Sequence, residues 1–246
     1  GKITKIDALG VAKLAAKVGA SKDKIEDEET GNSKQPKKQK QTMWEGFDYE
    51  NLRRKPAYYA VIICLAVYAL TSAGSISTPH YKDIGFDGEF IALILSIGSI
   101  GLAVAKILVG ILYDRCGIKI TVNICLFTAL ASKLILFIIT AEMKAAAIVG
   151  AVLSAIATPL ETVMISIIVL DLFGKKCFNQ TLAITTSLFT IGQALNSPLL
   201  NLPYDFMQSY TVSFVVSIVA SIVVIIALNL SMISLKRDVK QDTLMR

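Results

Sequence analysis

From residue 57 onward the chain alternates between long apolar blocks and short polar separators. The blocks run at about Ala57–Pro79, Phe90–Tyr113, Ile120–Thr140, Ala145–Leu170, Gln180–Asn201 and Tyr210–Leu235. About 20 residues at helical rise cover the roughly 30 Å hydrocarbon core of a bilayer. The pattern therefore predicts six transmembrane helices between residues 56 and 236, and an all-α membrane protein.

Residues 1–55 follow a different pattern. In Lys2–Val18, Ile3, Ile6, Leu14 and Val18 fall on one side of a helix, away from Lys2, Lys5, Lys13 and Lys17. That segment reads either as an amphipathic helix on a membrane surface or as a solvated linker helix. Ser21–Gln41 is polar and has no aromatic residue, so it buries too little apolar surface to fold alone. The first 55 residues are thus read as a flexible cytoplasmic segment, and 237–246 as a cytoplasmic tail.

Polar residues recur within the spans at helical spacing, as a water-lined path requires. The stripes are Tyr68, Ser72 and Ser75 in the first span, and Ser96, Ser99, Ala103, Lys106 and Gly110 in the second. Ser154, Thr158 and Glu161 coincide in the fourth. Thr186, Thr190, Gln193 and Ser197 do so in the fifth, with Asn196 beside them. One serine or threonine is explained by bonding within its own helix, whereas four aligned stripes suggest a shared polar interior. The third and sixth spans read as weaker, although the third carries Lys133.

Charges at this depth are costly, about 2.5–3.5 kcal/mol each on insertion scales. Lys106 lies roughly 10 Å from the inner end of its span at helical rise, on the polar stripe, and reads as facing the interior. Glu161 lies about 15 Å deep and reads either as a proton-titrating carboxylate or as the neutraliser of a lysine. Lys133 reads as its structural ion-pair partner. His80, at the outer end of the first span, reads as a solvated interfacial residue, with a gating or proton role as the alternative.

The chain has 246 residues, 54% of them hydrophobic, and a formal charge of +6. The basic excess lies outside the spans, which suits anionic lipid and not nucleic acid. With residues 1–55 inside, Arg53, Arg54, Lys55, Arg115, Lys119, Lys175, Lys176, Lys236, Arg237, Lys240 and Arg246 flank the membrane on the cytoplasmic side, against Lys82 and Lys144 outside. The positive-inside rule then puts both ends in the cytoplasm of a multi-pass protein, with the cell membrane as the expected location. Cys64, Cys116, Cys125 and Cys177 have no metal or disulfide spacing. No metal and no cofactor are expected.

Between the second and third spans stands G-x-x-x-D-R-x-G-x-K, formed by Gly110, Asp114, Arg115, Gly117 and Lys119. With the long basic segment before the first span, it resembles one half of a major facilitator superfamily transporter, the six-helix half built as a 3+3 inverted repeat. The C-terminal half is favoured by the lysine-rich leader, by Leu172–Lys176 and by Gly192–Tyr210. The last two are similar to segments of the monocarboxylate and oxalate:formate branch. The resemblance covers about residues 45–236 and implies a missing N-terminal half. In that branch a basic residue four positions before the motif's first glycine meets the substrate carboxylate, and Lys106 stands at that position. The fifth span has no lysine, unlike oxalate carriers, which favours a substrate with one carboxylate.

The resemblance implies alternating-access transport of a small organic anion held by Lys106, with Tyr68, Ser72, Gln193 and Asn196 completing the lining. Coupling is to a proton through Glu161 or by exchange of one anion for another. Gly110 is expected to permit close helix packing and Asp114 to meet a helix N-terminus, so that the motif latches the inner gate. The competing readings are a facilitator-type exporter of drugs or sugars and a non-transporting sensor or assembly subunit. An intramembrane enzyme is disfavoured, because the spans hold no buried nucleophile–base or metal set.

Overall fold

The first apolar block is interrupted where it was expected to be continuous. In the structure, a computed structural model describing residues 46–244, the block forms α2 (Pro56–Leu70) and α3 (Gly74–Ile84), preceded by a short α1 (Tyr49–Arg53). The second and third blocks are single helices, α4 (Gly88–Cys116) and α5 (Ile118–Ile138). The fourth is broken again, into α6 (Lys144–Ala157), α7 (Pro159–Thr162) and α8 (Met164–Phe173). The last two blocks are α9 (Phe178–Met207) and α10 (Thr211–Leu244). The surface helix expected over 2–18 lies outside the described residues.

The breaks and turns have local causes. Pro56 starts α2 from the first-turn position, where its missing N–H removes no bond. Pro159 inside the fourth block has no N–H for the helix ladder, so the helix restarts there. Gly117 (φ 77°, ψ 172°) is the single residue between α4 and α5, and Gly174 (φ 82°, ψ −177°) ends α8 in the same conformation. That region of backbone space is essentially open to glycine alone.

Among the described residues, five helical stretches are long and apolar enough to cross a membrane: Pro56–Ile84, Gly88–Cys116, Ile118–Ile138, Lys144–Thr162 and Thr211–Leu235. The fifth expected span, α9, is 30 residues long but is not one of them. Its Thr, Ser, Asn, Gln and Pro residues lower its hydropathy.

Helix α2 packs along α9 and α10, α5 along α6 and α10, and α4 along α6. The tightest approach is at Gly192 of α9, where an added Cβ would sit 2.5 Å from the Ala66 carbonyl oxygen of α2. A backbone atom cannot rotate away. Gly192→Ala is therefore expected to force the two helices apart and to cost about 1–3 kcal/mol, read as a lowered melting temperature of the purified protein. A native melting temperature would show that the contact gives at no cost.

The buried core falls into two clusters. One includes Leu65, Val122, Leu160, Phe189 and Leu228; the other includes Ile76, Ile94, Leu136, Leu200 and Phe214. Between them in chain order, on several helices, lie the polar residues Thr71, Ser132, Lys133, Asn196, Ser217 and Ser221, all buried. Both helix breaks fall at this polar layer.

Candidate functional site

Where α2 stops, three consecutive carbonyls lose the donors that a continuing helix would supply. Side chains replace them. Asn196 of α9 donates from Nδ2 to Leu70 O (2.7 Å) and Ser72 O (2.9 Å), and Lys133 of α5 donates from Nζ to Thr71 O (2.8 Å). Asn196 also accepts from Ser75 Oγ. The lysine's second bond goes to Ser221 Oγ of α10 at 2.6 Å, and its Nζ lies 5.7 Å from the centre of the Tyr68 ring.

The second break carries Glu161. It stands on the four-residue α7, at whose ends Glu161 N–H donates to Thr158 O (2.9 Å) and Val163 N–H to Pro159 O (3.0 Å). Its carboxylate accepts from Ser72 Oγ at 2.8 Å and makes a longer 3.4 Å contact with Gln193 Nε2. One hydrogen bond thus joins the interruption of the first span to that of the fourth. Tyr68, Ser72, Lys133 and Glu161 line one cavity of about 160 Å³.

Several expectations change. Lys133 and Glu161 do not form an ion pair within 4 Å; the ammonium is held by a carbonyl and a hydroxyl, and the carboxylate by Ser72 and Gln193. Opposite charges face a shared cavity with their hydrogen bonds satisfied separately, an arrangement that a small polar guest or a proton can rearrange. Asn196 is a backbone clamp, since both of its amide atoms are already engaged. Tyr68 and Ser72 do line the cavity. Gln193 is exposed and reaches the site through Glu161.

Lys106 is exposed and has no hydrogen-bond or ion-pair partner among the described residues. Its place can be read from α4. The helix packs through Ile91, Ile94, Ala105 and Val109, and an added Cβ on Gly101 would lie 3.1 Å from Ala155 of α6. Both helices run from the expected outer face inward, so Lys106, five residues beyond Gly101, stands near the level of Leu160 and Glu161. Of the two flanks beside the packed face, one is wholly apolar and open, with Ile100 69% and Ile107 68% exposed. Lys106 is on the other, with Ser96, Ser99, Ala103 and Gly110. Ser96 and Ser99 bond back to Ala92 O and Leu95 O, as isolated helix hydroxyls do.

His80 is not a freely solvated residue. Its Nε2–H donates to Leu136 O (2.8 Å), and its ring meets Phe214 and Tyr210 edge-on at 4.7 and 5.8 Å. It pins α3 to α5 and α10. In the motif, Gly117 makes the turn, while Asp114, Arg115 and Lys119 are exposed. The close packing expected at Gly110 is not found in this bundle: an added Cβ there would meet nothing within 4 Å.

Three features escaped the sequence reading. Ser213, Ser217 and Ser221 recur every four residues in α10 and are all buried, so the sixth span has a polar face as regular as the others. Asn123 and Asn229 exchange amide hydrogen bonds of 2.9 and 2.7 Å between α5 and α10. The spacing Asp114, Gly117, Lys119 also recurs as Asp171, Gly174, Lys176, around the two glycines of matching conformation. Among the described residues no three His, Cys, Asp or Glu side chains gather as a metal site would need.

A family model described as Major Facilitator Superfamily matches residues 59–243. Comparison with curated proteins finds no match.

Proposed function

The chain belongs to the major facilitator superfamily, whose members are secondary transporters and not enzymes, and from that premise we propose that residues 56–236 form one six-helix half moving a small organic anion by alternating access. The observation that carries this reading is the 2.8 Å bond from Ser72 to Glu161, which links two interrupted spans. Interrupted helices at corresponding places in a repeat are where transporters build their sites. The helix pairings support the repeat. Exchanging spans one to three with spans four to six turns the first–fifth pairing into the fourth–second and the third–fourth into the sixth–first, and leaves the third–sixth unchanged.

The uncovered polar flanks support a second body facing this one. Ser96, Ser99 and Lys106 of α4, and Thr186, Thr190, Gln193 and Ser197 of α9, are exposed without being lipid-like. A second six-helix half covering them would enclose Lys106 at about the depth of Glu161. There Lys106 holds the substrate carboxylate by a charge-assisted bond, and Glu161 carries the coupling proton. By the similarity of Leu172–Lys176, Gly192–Tyr210 and the position of Lys106, the substrate is a monocarboxylate and the branch that of the monocarboxylate and oxalate:formate carriers. Both chain ends are cytoplasmic in this reading, and Asp114–Lys119 latches the inner gate.

Lys106→Ala is the direct test. In proteoliposomes of the full-length protein, carboxylate uptake is expected to fall to background while insertion and melting temperature stay native. Normal carboxylate uptake by the alanine protein would remove Lys106 from the substrate site.

A further inference from the structure

A second cavity, of about 250 Å³, lies between α3, α4, α5 and α6. It shares Ser132, Ser154 and Thr158 with the charged cavity that holds Glu161, so the two adjoin. At its other end Tyr81 stands one turn from the expected outer end of α3, and Leu95 and Ser99 of α4 are exposed. The cavity thus runs from near the outer end of α3 to Thr158, one turn short of Glu161.

Its wall offers hydroxyls that water can bond. Ser77, Ser99, Ser132 and Thr158 give their protons to Gly74 O, Leu95 O, Gly150 O and Ser154 O, at 2.8–3.0 Å, which leaves their oxygen lone pairs free to accept. The hydroxyls of Tyr81 and Ser154 have no protein partner among the described residues and can donate as well. Tyr81 is only 3% exposed, and a buried phenol calls for a hydrogen-bond partner. A water takes about 30 Å³ of the liquid and needs two to four polar partners, so several fit here. Among the described residues no lining side chain is charged, so nothing along the way holds a proton before Glu161.

We infer that this cavity is the outer proton route to Glu161, a file of waters ordered by these hydroxyls and ending on the carboxylate. The inference rests on the coupling role proposed for Glu161 above. A proton arriving as hydronium passes from water to water, and the last water gives it to a carboxylate oxygen. One proton is taken up, the water is left neutral and one negative charge is lost. The other titratable groups facing Glu161 are Tyr68 of α2 and Lys133 of α5, with Lys106 of α4 near its level. None of the three lines the second cavity. Its mouth at Ser99 is about 10 Å outward of Lys106 at helical rise, so the proton does not pass the substrate.

The test reads water and protons separately, on the full-length protein. In a cysteine-free background, Ser154→Cys is expected to react with methanethiosulfonate ethylammonium, whereas Ile107→Cys, on the open apolar flank, is not. Gly98→Leu fills the cavity from α4, where an added Cβ meets nothing within 4 Å; Ala151→Leu does so from α6. Each is expected to slow the labelling of Ser154→Cys at least about tenfold, because a thiol reacts as its accessible thiolate. In proteoliposomes, corrected for protein-free vesicles, each is expected to lower labelled acetate uptake driven by a pH gradient at least about tenfold. Acetate exchange and the melting temperature are expected to stay native. An unreactive Ser154→Cys, or native gradient-driven uptake in both leucine variants, overturns the route. Loss of exchange along with gradient-driven uptake in folded leucine variants overturns it too, since the cavity then belongs to the substrate path. Native gradient-driven uptake in Glu161→Gln would instead overturn the coupling role of Glu161 and the route with it, and the labelling would then report only a hydrated cavity.

Discussion

Glu161→Gln is expected to remove the response of transport to a proton gradient while sparing the fold. Glutamine keeps the length of the side chain and an oxygen to accept from Ser72 Oγ, so the 2.8 Å link between the two interrupted spans survives. What is lost is the negative charge and the ability to bind a proton. The change in stability is expected to stay within about 1 kcal/mol, the size of one net hydrogen bond. Uptake driven by an imposed pH gradient is expected to fall at least about tenfold, which corresponds to about 1.4 kcal/mol on the barrier of the proton-driven step. Exchange of internal for external substrate, which needs no net proton movement, is expected to continue. Proteoliposomes loaded with substrate, with and without the gradient, separate the two modes. Native accumulation under the gradient by the glutamine protein would assign the coupling elsewhere. Loss of both modes in a folded protein would make the carboxylate part of the binding step, and the coupling role would then fall as well.

The sequence made the apolar blocks and part of the lining of the charged cavity visible because both are one-dimensional signals. Tyr68, Ser72 and Glu161 stand on helical stripes, and they do meet at one cavity. Helix interruptions are harder to read. Pro159 announces one, but nothing at Thr71–Ala73 marks the end of α2 except the glycine that follows. The break is stabilised from outside, by Asn196 and Lys133 on other helices, and such tertiary capping has no local signature. The Lys133–Glu161 pairing was inferred from charge alone. Geometry gave each group its own hydrogen bonds, because the orphan Thr71 carbonyl and the Ser221 hydroxyl stand closer to the ammonium. The serines of α10 were legible from their spacing. A run so apolar hides its polar face when the eye follows hydropathy and not periodicity.

That separation of the two charges makes Lys133 the residue whose loss is expected to do most damage. Lys133→Ala leaves the Thr71 carbonyl without its donor, removes a partner from Ser221, and leaves Glu161 facing the cavity without the nearby cation. Leaving the Thr71 carbonyl unpaired in the interior, and the Ser221 hydroxyl without its donor, costs about 1–3 kcal/mol each, enough to lower the yield of inserted protein. Lys133→Met keeps most of the volume, so it separates the charge from the packing. Its combination with Glu161→Gln decides how the two groups are coupled. If the charges support each other across the cavity, the double variant is expected to be less destabilised than the sum of the singles, by about 0.5–1 kcal/mol, at the low end for coupled neighbours because no direct ion pair is made. Additive losses would mean that Lys133 acts only as the donor that closes the end of α2, and a coupling of several kcal/mol would mean that the ion pair forms in another state of the cycle. In that last case the bond to Thr71 is exchanged for one to Glu161 as the transporter moves. The interruption of the first span would then be released by the same event that charges the carboxylate.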